Sequence, residues 1–415
     1  MKIWIINQYA SLPSTGIGGR HRHLARELAA RGHDVTLVAA RWNHLTRDEA
    51  AAMAAPEVEM FEGFRYVSIN VPRYAHAHDK RRFINWVVFA MRMFRLKRLL
   101  KQTPDVILYS SVSLFGYLSA ERMARRMGAR LVFEVRDIWP LTLIQVGGMS
   151  PRHPVIRLMQ WIEDRAYRTA DHVISNLAGA VDHMQTRGLP KDRFTWVPNG
   201  VSLTEMSVQS APQKAVLEDI PIDRFVIGYA GSLGTANAML CILGIAEKMK
   251  HIPDIVFVLV GAGRQKADMQ AQANERNLNN LLFLDPVPKD QVQNVLARFD
   301  VCFISWAHSP LYNFGIAANK LFDYFYAGRP ILQMFSGQYD PVSEHGAGIT
   351  VEAEDEDAAV NAALQLWKMS PEGRNRMGEN GRRAVLEHHE YGHLAAKLEA
   401  VLQPHQPPAP DRDSA

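Results

Sequence analysis

The sequence predicts two doubly wound α/β domains, each with a parallel sheet covered by helices. The first observation is a series of short apolar runs that are continuous rather than alternating, which is typical of parallel strands buried on both faces. They read KIWIIN, DVTLVAA, DVILYSS, RLVFEVR and DHVISN in the first half, then RFVIGYAGS, IVFVLVGAG, LLFLD and VCFIS in the second. The second observation is the helical pattern between these runs. The third is the length of 415 residues, which exceeds what one hydrophobic core usually supports.

The helices and the domain boundary follow from local patterns. Helices long enough to connect parallel strands are expected over 20–31 and 116–127. The boundary is expected in WVPNGVSLTEM, where Pro, Asn and Gly form a turn and the periodicity fades, so the first domain would end at residue 205. The tail 404–415 is Pro-rich and polar, and we expect it to be disordered.

Composition restricts the function classes. A net charge of +4 over 415 residues is too small to indicate nucleic acid as a partner. Cys241 and Cys302 stand in separate segments without metal-ligand spacing, which argues against a disulfide framework or a zinc site and fits a reducing cytoplasm. The opening MKIWIINQYA is not patterned as a signal peptide, and no window reaches about 18 uninterrupted apolar residues, so we expect no transmembrane helix.

Candidate ligand-binding residues follow the strands, because open α/β sheets bind ligands at the carboxyl ends of their strands. After the first strand, Gly16, Gly18 and Gly19 precede a helix whose first amides would suit an anion, although an ordinary turn is the alternative. After RLVFEV come Arg136 and Asp137, which are either site residues or a surface ion pair.

Two further strand ends lie in the second half. Ser232 stands among the glycines of GYAGSLG, which leave room for the close approach of a ligand. Gly315 and Ile316 come just before a helix that we expect over 317–327, ended by the glycine of AGRP. The first amides of this helix would suit a phosphate.

The same helix carries Asn319, Lys320 and Asp323 on neighbouring positions. A buried lone carboxylate is costly unless it is paired or accepts hydrogen bonds. A ligand that offers hydroxyls to Asp323 and phosphate to Lys320 would explain both side chains. The alternative is a surface ion pair between Lys320 and Asp323, which stabilises a helix by only about 0.2–0.5 kcal/mol.

These pieces, taken in their order, resemble the retaining glycosyltransferases of the GT-B fold, family 4, and most of all those that build bacterial surface polysaccharides. The pieces are GGRHRHLARELAARGHDVTLV, VPNGV, GYAGSLG and LFDYFYAGRPIL. The resemblance implies two Rossmann-like domains facing across a cleft. Residues 1–205 would bind the acceptor, residues 206–385 the nucleotide-sugar donor, and a final helix over 386–403 would cross back to the first domain.

The resemblance also implies roles for single residues. Asp323 takes the place of the second glutamate of the family motif, which binds the ribose hydroxyls. The first glutamate would fall at Gly315, so the usual carboxylate contact to the donor sugar is missing. Lys320, Arg264 or Lys266 would neutralise the diphosphate, and we favour Lys320.

The implied reaction is glycosyl transfer with retention, from a nucleotide sugar, expected to be a UDP sugar, to a glycan or a polyprenyl-diphosphate-linked sugar. Arg136 and Asp137 stand where many relatives have His then Asp, so a longer cation would replace the histidine contact to the sugar. Lys320, the amides near Gly315 and Ile316, and the loop of Gly18 and Gly19 would stabilise the departing diphosphate. No metal and no other cofactor is expected.

Two other functions share this pattern. A nucleotide-sugar 2-epimerase has the same two-domain fold, but its carboxylate and histidine set has no counterpart that we can identify here. A catalytically silent partner of another transferase is the non-enzyme alternative, favoured somewhat by the missing first glutamate.

The segment 80–101, KRRFINWVVFAMRMFRLKRLLK, carries eight cations and no acidic residue. Its apolar residues recur at helical spacing; they are Phe83, Trp86, Val87, Ala90, Met91 and Phe94. Such a segment can lie in a membrane interface with its cations against anionic lipid. We therefore predict a peripheral enzyme on the cytoplasmic face of the membrane, with a core-packing helix that has a basic solvated face as the alternative.

Overall fold

The computed structural model describes most of the chain, in the ranges 1–16, 19–74, 79–111, 113–207 and 214–403. The tail 404–415 and Gly18, both subjects of sequence predictions, lie outside the described residues. The chain divides into two compact units: Met1–Pro198 with the residues from Tyr391 onward, and Asn199–Glu390. Within the described part, no helix is long and apolar enough to cross a membrane.

The first unit is built on an eight-stranded sheet in the order β3-β4-β2-β1-β5-β6-β7-β8, in which only the β3–β4 pair is antiparallel. Its strands are β1 (Lys2–Asn7), β2 (Asp34–Ala40), β3 (Val58–Phe61), β4 (Phe64–Ile69), β5 (Val106–Ser110), β6 (Arg130–Val135), β7 (His172–Ser175) and β8 (Phe194–Trp196). Its helices are α1 (Arg20–Ala30), α2 (Glu49–Ala54), α3 (Arg81–Arg92), α4 (Leu96–Leu100), α5 (Phe115–Met127), α6 (Leu141–Gln145), α7 (Pro154–Thr169) and α8 (Ala180–Thr186), joined by α18 (Tyr391–Leu402) from the end of the chain.

The second unit is built on a six-stranded parallel sheet in the order β11-β10-β9-β12-β13-β14. Its strands are β9 (Phe225–Ala230), β10 (Ile255–Val260), β11 (Leu281–Leu284), β12 (Val301–Ser305), β13 (Ile331–Met334) and β14 (Gly348–Val351). Its helices are α9 (Leu203–Ser207), α10 (Lys214–Glu218), α11 (Cys241–Met249), α12 (Lys266–Glu275), α13 (Val292–Leu296), α14 (Asn319–Ala327), α15 (Pro341–Glu344), α16 (Glu356–Lys368) and α17 (Pro371–His388).

The predicted fold class is confirmed, and β10 shows why its apolar run is continuous. Ile255, Phe257 and Leu259 pack into the core on one face of the sheet. The alternate residues Val256 and Val258 pack into the core on the other face. Because successive side chains of a strand point to opposite faces, a strand covered on both sides needs apolar residues at every position.

The boundary between the units lies earlier than the expected residue 205, because the asparagine of VPNGV is tied into the second unit. The Asn199 side chain donates a hydrogen bond to the Ala317 carbonyl at 2.6 Å, and Val201 pairs with Glu390. That pairing coincides with a break between α17 and α18. The expected helix over 386–403 is therefore two elements, of which only α18 joins the first unit.

Helix α18 packs against α1 in the first unit. The rings of His23 and Tyr391 stack with their centroids 4.6 Å apart. His33 bonds to Glu399 at 2.7 Å. These contacts fix the C-terminal helix to the unit that begins the chain.

In each sheet, the order of the strands reverses at one place, and ligands are expected to bind there. In the first sheet, β1 lies between β2 and β5, so the order reverses at β1 and β5; in the second sheet, it reverses at β9 and β12. Connections on the two sides of such a switch point leave in opposite directions and open a crevice at the carboxyl ends of the strands.

Candidate donor and acceptor sites

Helix α14 brings a lysine and an aspartate to the carboxyl ends of the second sheet. It begins at Asn319, after Ala318 in an extended conformation, and ends at Gly328 with φ of 64°. Leu321 and Phe325 are buried in the core beneath the sheet, which leaves the other face of the helix to the strand ends. The predicted helix is thus confirmed, with a start two positions later than the expected residue 317.

Lys320 lies at the end of β9. Its Nζ donates to the Tyr229 hydroxyl at 2.6 Å and to Asn237 Oδ1 at 2.9 Å. Burial lowers the pKa of Lys320 from its usual value to about 8. An ammonium held only by neutral oxygens, with its pKa reduced, gains most when an anion binds beside it.

Asp323 is only 7% exposed and pairs with a lysine that the sequence analysis did not identify. Lys289, from the 3₁₀ helix Lys289–Gln291, places its Nζ 2.5 Å from Asp323 Oδ1 and also contacts Oδ2. Burial raises the pKa of the Asp323 carboxyl, and the Lys289 ammonium counteracts part of that rise. The alternative in which Lys320 and Asp323 form a surface ion pair is therefore wrong.

A cavity of about 340 Å³ opens between these residues and the strand ends. Its lining comes from the residues that follow β9, β10 and β11, and from α13 and α14; it consists of Ala230, Gly231, Ser232, Val260, Gly261, Ala262, Pro286, Val287, Lys289, Val292, Lys320 and Asp323. The predicted donor residues Ser232, Lys320 and Asp323 are brought together here. The cavity size suits part of a nucleotide.

Two glycines of this lining are required by close approach of the backbone. Gly261 has φ of 158°, and a Cβ placed there would lie 1.9 Å from the Gly231 carbonyl oxygen. Gly231 has φ of 156°, and a Cβ there would lie 3.2 Å from Lys320 Nζ. The glycines therefore let the two loops meet and keep space in front of the lysine.

Other predicted donor residues lie outside this cavity lining. Lys266 donates to the Leu284 carbonyl at 2.9 Å and pairs with Asp285, while Arg264 is exposed. Gly315 ends the 3₁₀ helix Pro310–Phe314 with φ of 105°.

Ile316 and the exposed Asn319 are likewise not part of the lining. Because α14 begins at Asn319 and not at the expected residue 317, Gly315 and Ile316 lie farther from its first turn than the sequence predicts.

In the first unit, the start of α1 is occupied by a buried ion network. Glu134 in β6 is fully buried; its Oε1 accepts from Arg20 Nε at 2.9 Å, and its Oε2 bonds to His21 Nε2 at 2.6 Å. Arg20 also donates to the carbonyls of Val197 and Pro198, just before the second unit. Gly19 is the residue that caps α1 before this network.

The groups of this network shift one another's pKa values. Burial alone would raise the pKa of Glu134, but Arg20 and His21 outweigh it and hold that pKa well below its usual value. Burial lowers the pKa of His21, although Glu134 opposes the change. The sequence signal that could have revealed the network is a glutamate inside the apolar strand RLVFEV, since such a residue needs a buried partner.

The carboxyl edge of the first sheet holds several buried polar atoms that have no hydrogen-bond partner among the described residues. They follow β1, β5, β6 and β7, and are Gln8 Oε1, Ser113 Oγ, Arg136 Nε, Trp139 Nε1 and Asn176 Oδ1. Asp137, next to Arg136, is exposed. Buried polar groups in proteins are normally satisfied, so this edge has the character of a site for a polar ligand.

Aromatic rings and a cation stand at the same edge. Arg82 lies 5.4 Å from the ring centre of Tyr9, 4.9 Å from that of Trp86 and 6.0 Å from that of Trp139. Tyr9 accepts hydrogen bonds from Arg82 Nε at 3.0 Å and from Trp86 Nε1 at 2.6 Å. Rings and a cation in this arrangement suit a sugar face and an acidic group.

Comparison with known proteins finds a family match in each of the two units. Residues 15–200 match a glycosyl transferase 4-like domain, and residues 224–369 match the glycosyl transferases group 1 domain. The chain is a glycosyltransferase of the GT-B fold. The two matched domains correspond to the two units, and the resemblance recognised in the sequence is confirmed at this level.

Individual relatives are distant. The chain is 24% identical over 309 residues to a putative colanic acid biosynthesis glycosyl transferase, WcaI, of Escherichia coli K12, covering 72% of this chain and 75% of that protein. It is 22% identical to the O-antigen chain mannosyltransferase C of Escherichia coli, with the same coverage. The crystal structure of HepE from Anabaena in complex with UDP-glucose superposes with a TM-score of 0.68, at 13% identity, over 97% of this chain and 99% of that one.

Proposed function

We propose that this glycosyltransferase moves a hexosyl group, with retention of configuration, from a UDP sugar to a glycan or polyprenyl-diphosphate-linked sugar in bacterial surface-polysaccharide synthesis. The observation that carries the proposal is the pair of Lys320 and Asp323 in the cavity at the ends of β9, β10 and β11. A relative named for colanic acid biosynthesis supports the pathway class, and HepE with UDP-glucose supports the donor class. The reaction would take place at the cytoplasmic side of the membrane.

Asp323 is proposed to bind the ribose. Its carboxylate is buried and lines the cavity, and ribose offers two adjacent hydroxyl donors. The Lys289 side chain, which is 58% exposed, can leave Asp323 for solvent when the ribose arrives. When the two ribose hydroxyls replace the Lys289 ammonium, the buried carboxylate of Asp323 keeps its hydrogen bonds.

Lys320 is proposed to meet the diphosphate. Lys320 precedes Asp323 by three residues, close to one turn of α14. With the ribose at Asp323, the diphosphate would therefore lie beside Lys320, where the glycine loops after β9 and β10 also line the cavity. The bond between the sugar and the diphosphate breaks while the acceptor hydroxyl bonds to the same face of the sugar. The acceptor proton passes to the departing phosphate oxygen. Lys320 would stabilise the charge that develops on that oxygen.

The acceptor is proposed to bind at the carboxyl edge of the first sheet. The rings of Tyr9 and Trp139, over which Arg82 lies, would contact the apolar side of a sugar, and the Arg82 guanidinium would bind a diphosphate. Arg136 and Asp137, which follow β6, would contact sugar hydroxyls. The unpartnered buried atoms at this edge favour a ligand rich in hydroxyl groups.

A donor and acceptor screen tests the proposal. The protein is incubated with UDP sugars and with GDP-mannose, each with and without a lipid-linked oligosaccharide extract, and products are identified by mass spectrometry. We expect release of UDP and a new α-linked product from an α-linked donor only when the acceptor is present. A free sugar formed without acceptor would identify an epimerase instead, and donor binding without any product would identify a silent partner.

A further inference from the structure

Helix α3 has an apolar face that packs into the first unit. Trp86, Phe89 and Ala90 are buried, and Met93 in the 3₁₀ helix Met93–Arg95 and Leu96 in α4 continue the same face. The face packs against α5, where the Phe83 and Phe115 rings meet at 4.9 Å. This face alone gives the helix its place in the core.

Helix α3 and the 3₁₀ helix Met93–Arg95 that follows it have a second apolar face that nothing in the described chain covers. Ile84 is 54% exposed, Met91 is 58% exposed and Phe94 is 42% exposed. Their spacing of seven and three residues puts them on one side, and it extends over about 15 Å at the rise of a helix. Large apolar side chains are normally exposed singly, so three within eleven residues indicate a contact surface.

Exposed cations surround this second face. They are Lys80, Arg81, Arg95, Lys97, Arg98 and Lys101. No acidic residue stands between Lys80 and Lys101. Arg95 follows Phe94 directly and Arg98 follows it by four positions, so both exposed cations adjoin the end of the segment that carries the exposed apolar residues.

We propose that this face, consisting of Ile84, Met91 and Phe94 with the six exposed cations, docks the protein on an anionic lipid surface. Apolar side chains enter the boundary between headgroups and acyl chains, and cations of one sign meet the anionic headgroups. A protein partner would need an extended acidic surface with apolar pockets in register, whereas a lipid surface supplies both elements everywhere. The charge complementarity therefore favours lipid.

The face differs from the one that the sequence pattern suggested. Trp86 and Ala90 were expected in the membrane, but they belong to the buried face. Arg92 was expected against lipid, but it donates to the Asn70 carbonyl at 2.5 Å and is only half-exposed. The buried face therefore matches the predicted alternative, a core-packing helix, and the membrane proposal depends on the second face alone.

Co-sedimentation of the full chain with vesicles tests the proposal. The probes are vesicles of phosphatidylcholine alone and of phosphatidylcholine with phosphatidylglycerol, without donor or acceptor, so that the result is independent of the transfer reaction. We expect binding to the anionic vesicles only, with weakening as salt is raised. Arg95→Glu with Arg98→Glu should reduce the partition coefficient at least tenfold, since each basic residue near an anionic surface contributes about a factor of five.

The apolar part has its own variants and controls. Met91→Ser with Phe94→Ser should also reduce binding at least tenfold, whereas Met60→Ser with Ile222→Ser, which removes two other exposed apolar side chains, should leave it unchanged. Arg122→Glu with Arg126→Glu makes the same change of charge on the exposed side of α5 and should have a several-fold smaller effect.

Three results would overturn the proposal. One is equal recovery in the supernatant with both vesicle types at low salt. Another is an equal loss of binding in the test and control variants. The third is dissociation of an oligomer by Met91→Ser with Phe94→Ser in light scattering, which would make this face a contact between copies of the chain.

Discussion

Glu134 in the first unit and Asp323 in the second are both buried carboxylates paired with basic side chains, yet they differ in how exposed those partners are. Both partners of Glu134, Arg20 and His21, are buried with it. The partner of Asp323 is Lys289, whose side chain is 58% exposed. A carboxylate enclosed with its partners holds the fold together, whereas a carboxylate whose partner can leave for solvent is able to exchange it for a ligand.

The pKa directions agree with this difference. The basic side chains of Arg20 and His21 more than offset the effect of burial on Glu134, so its pKa lies well below the usual value. At Asp323, burial outweighs the single lysine, so its pKa is raised. The four predictions below test whether the first carboxylate is structural and the second functional, from the largest expected effect to the smallest.

Glu134→Gln should reduce the free energy of unfolding by about 3–5 kcal/mol, because it leaves the buried Arg20 guanidinium without its counter-charge. Urea unfolding of the full chain measures the loss. The matched control is Glu62→Gln, a partly exposed partner of Arg22, with an expected loss under about 1 kcal/mol.

The stabilisation by Glu134 should also depend on pH, in a direction that follows from its lowered pKa. The pKa of Glu134 is lower when folded, so its stabilisation is present above the unfolded value and is lost as pH falls through the folded value. Glu134→Gln should therefore weaken the acid dependence of wild-type stability. An unchanged unfolding midpoint in Glu134→Gln would contradict the structural role assigned to Glu134.

Lys320→Ala should lower turnover by about 10²- to 10³-fold and donor affinity by much less, as expected for a group that stabilises the leaving diphosphate. Steady-state kinetics with a saturating acceptor separate the two quantities. Because the pKa of Lys320 is about 8 in the free protein, kcat/KM of the wild type for the donor should fall as pH rises above that value. A loss of affinity without a loss of turnover would make Lys320 a docking residue.

Asp323→Asn should weaken UDP binding by about 1–3 kcal/mol, since hydrogen bonds to a charged acceptor become bonds to a neutral one. Isothermal titration calorimetry with UDP measures the change. The exposed Asp285→Asn is the matched control and should bind UDP as the wild type does. Unaltered UDP affinity in Asp323→Asn would refute the ribose assignment.

Lys289→Met should strengthen UDP binding slightly, by a factor of about two to five, because the ribose no longer displaces an ammonium from Asp323. This corresponds to the ~0.5–1 kcal/mol of a partly exposed ion pair. The same titration checks it, with Lys266→Met as the control, since Lys266 pairs with Asp285 outside the cavity. Weaker binding in Lys289→Met would show that Lys289 contacts the donor directly.

Local patterns were sufficient to predict α14 and its two ionisable residues. The apolar spacing, the glycine at the end and the position of Lys320 and Asp323 are all properties of one short segment. The strands β3 and β4 were missed because polar residues, Glu59 in β3 and Arg65 and Ser68 in β4, interrupt their short apolar runs, unlike the continuous runs of the central strands. The pattern also could not distinguish the two apolar faces of α3, because helical spacing shows that a face is apolar and not whether α5 covers it.

The sequence by itself determined the two α/β units, the resemblance to GT-B glycosyltransferases and the helix that presents Lys320 and Asp323. These depend on the period of apolar residues and on turn residues, which act over a few neighbouring positions. The tertiary structure alone decided that Asp323 pairs with Lys289, that Glu134 binds Arg20 and His21, and that Ile84, Met91 and Phe94 stay exposed. Each of these depends on which distant segments the sheets bring together, and no local pattern contains that information.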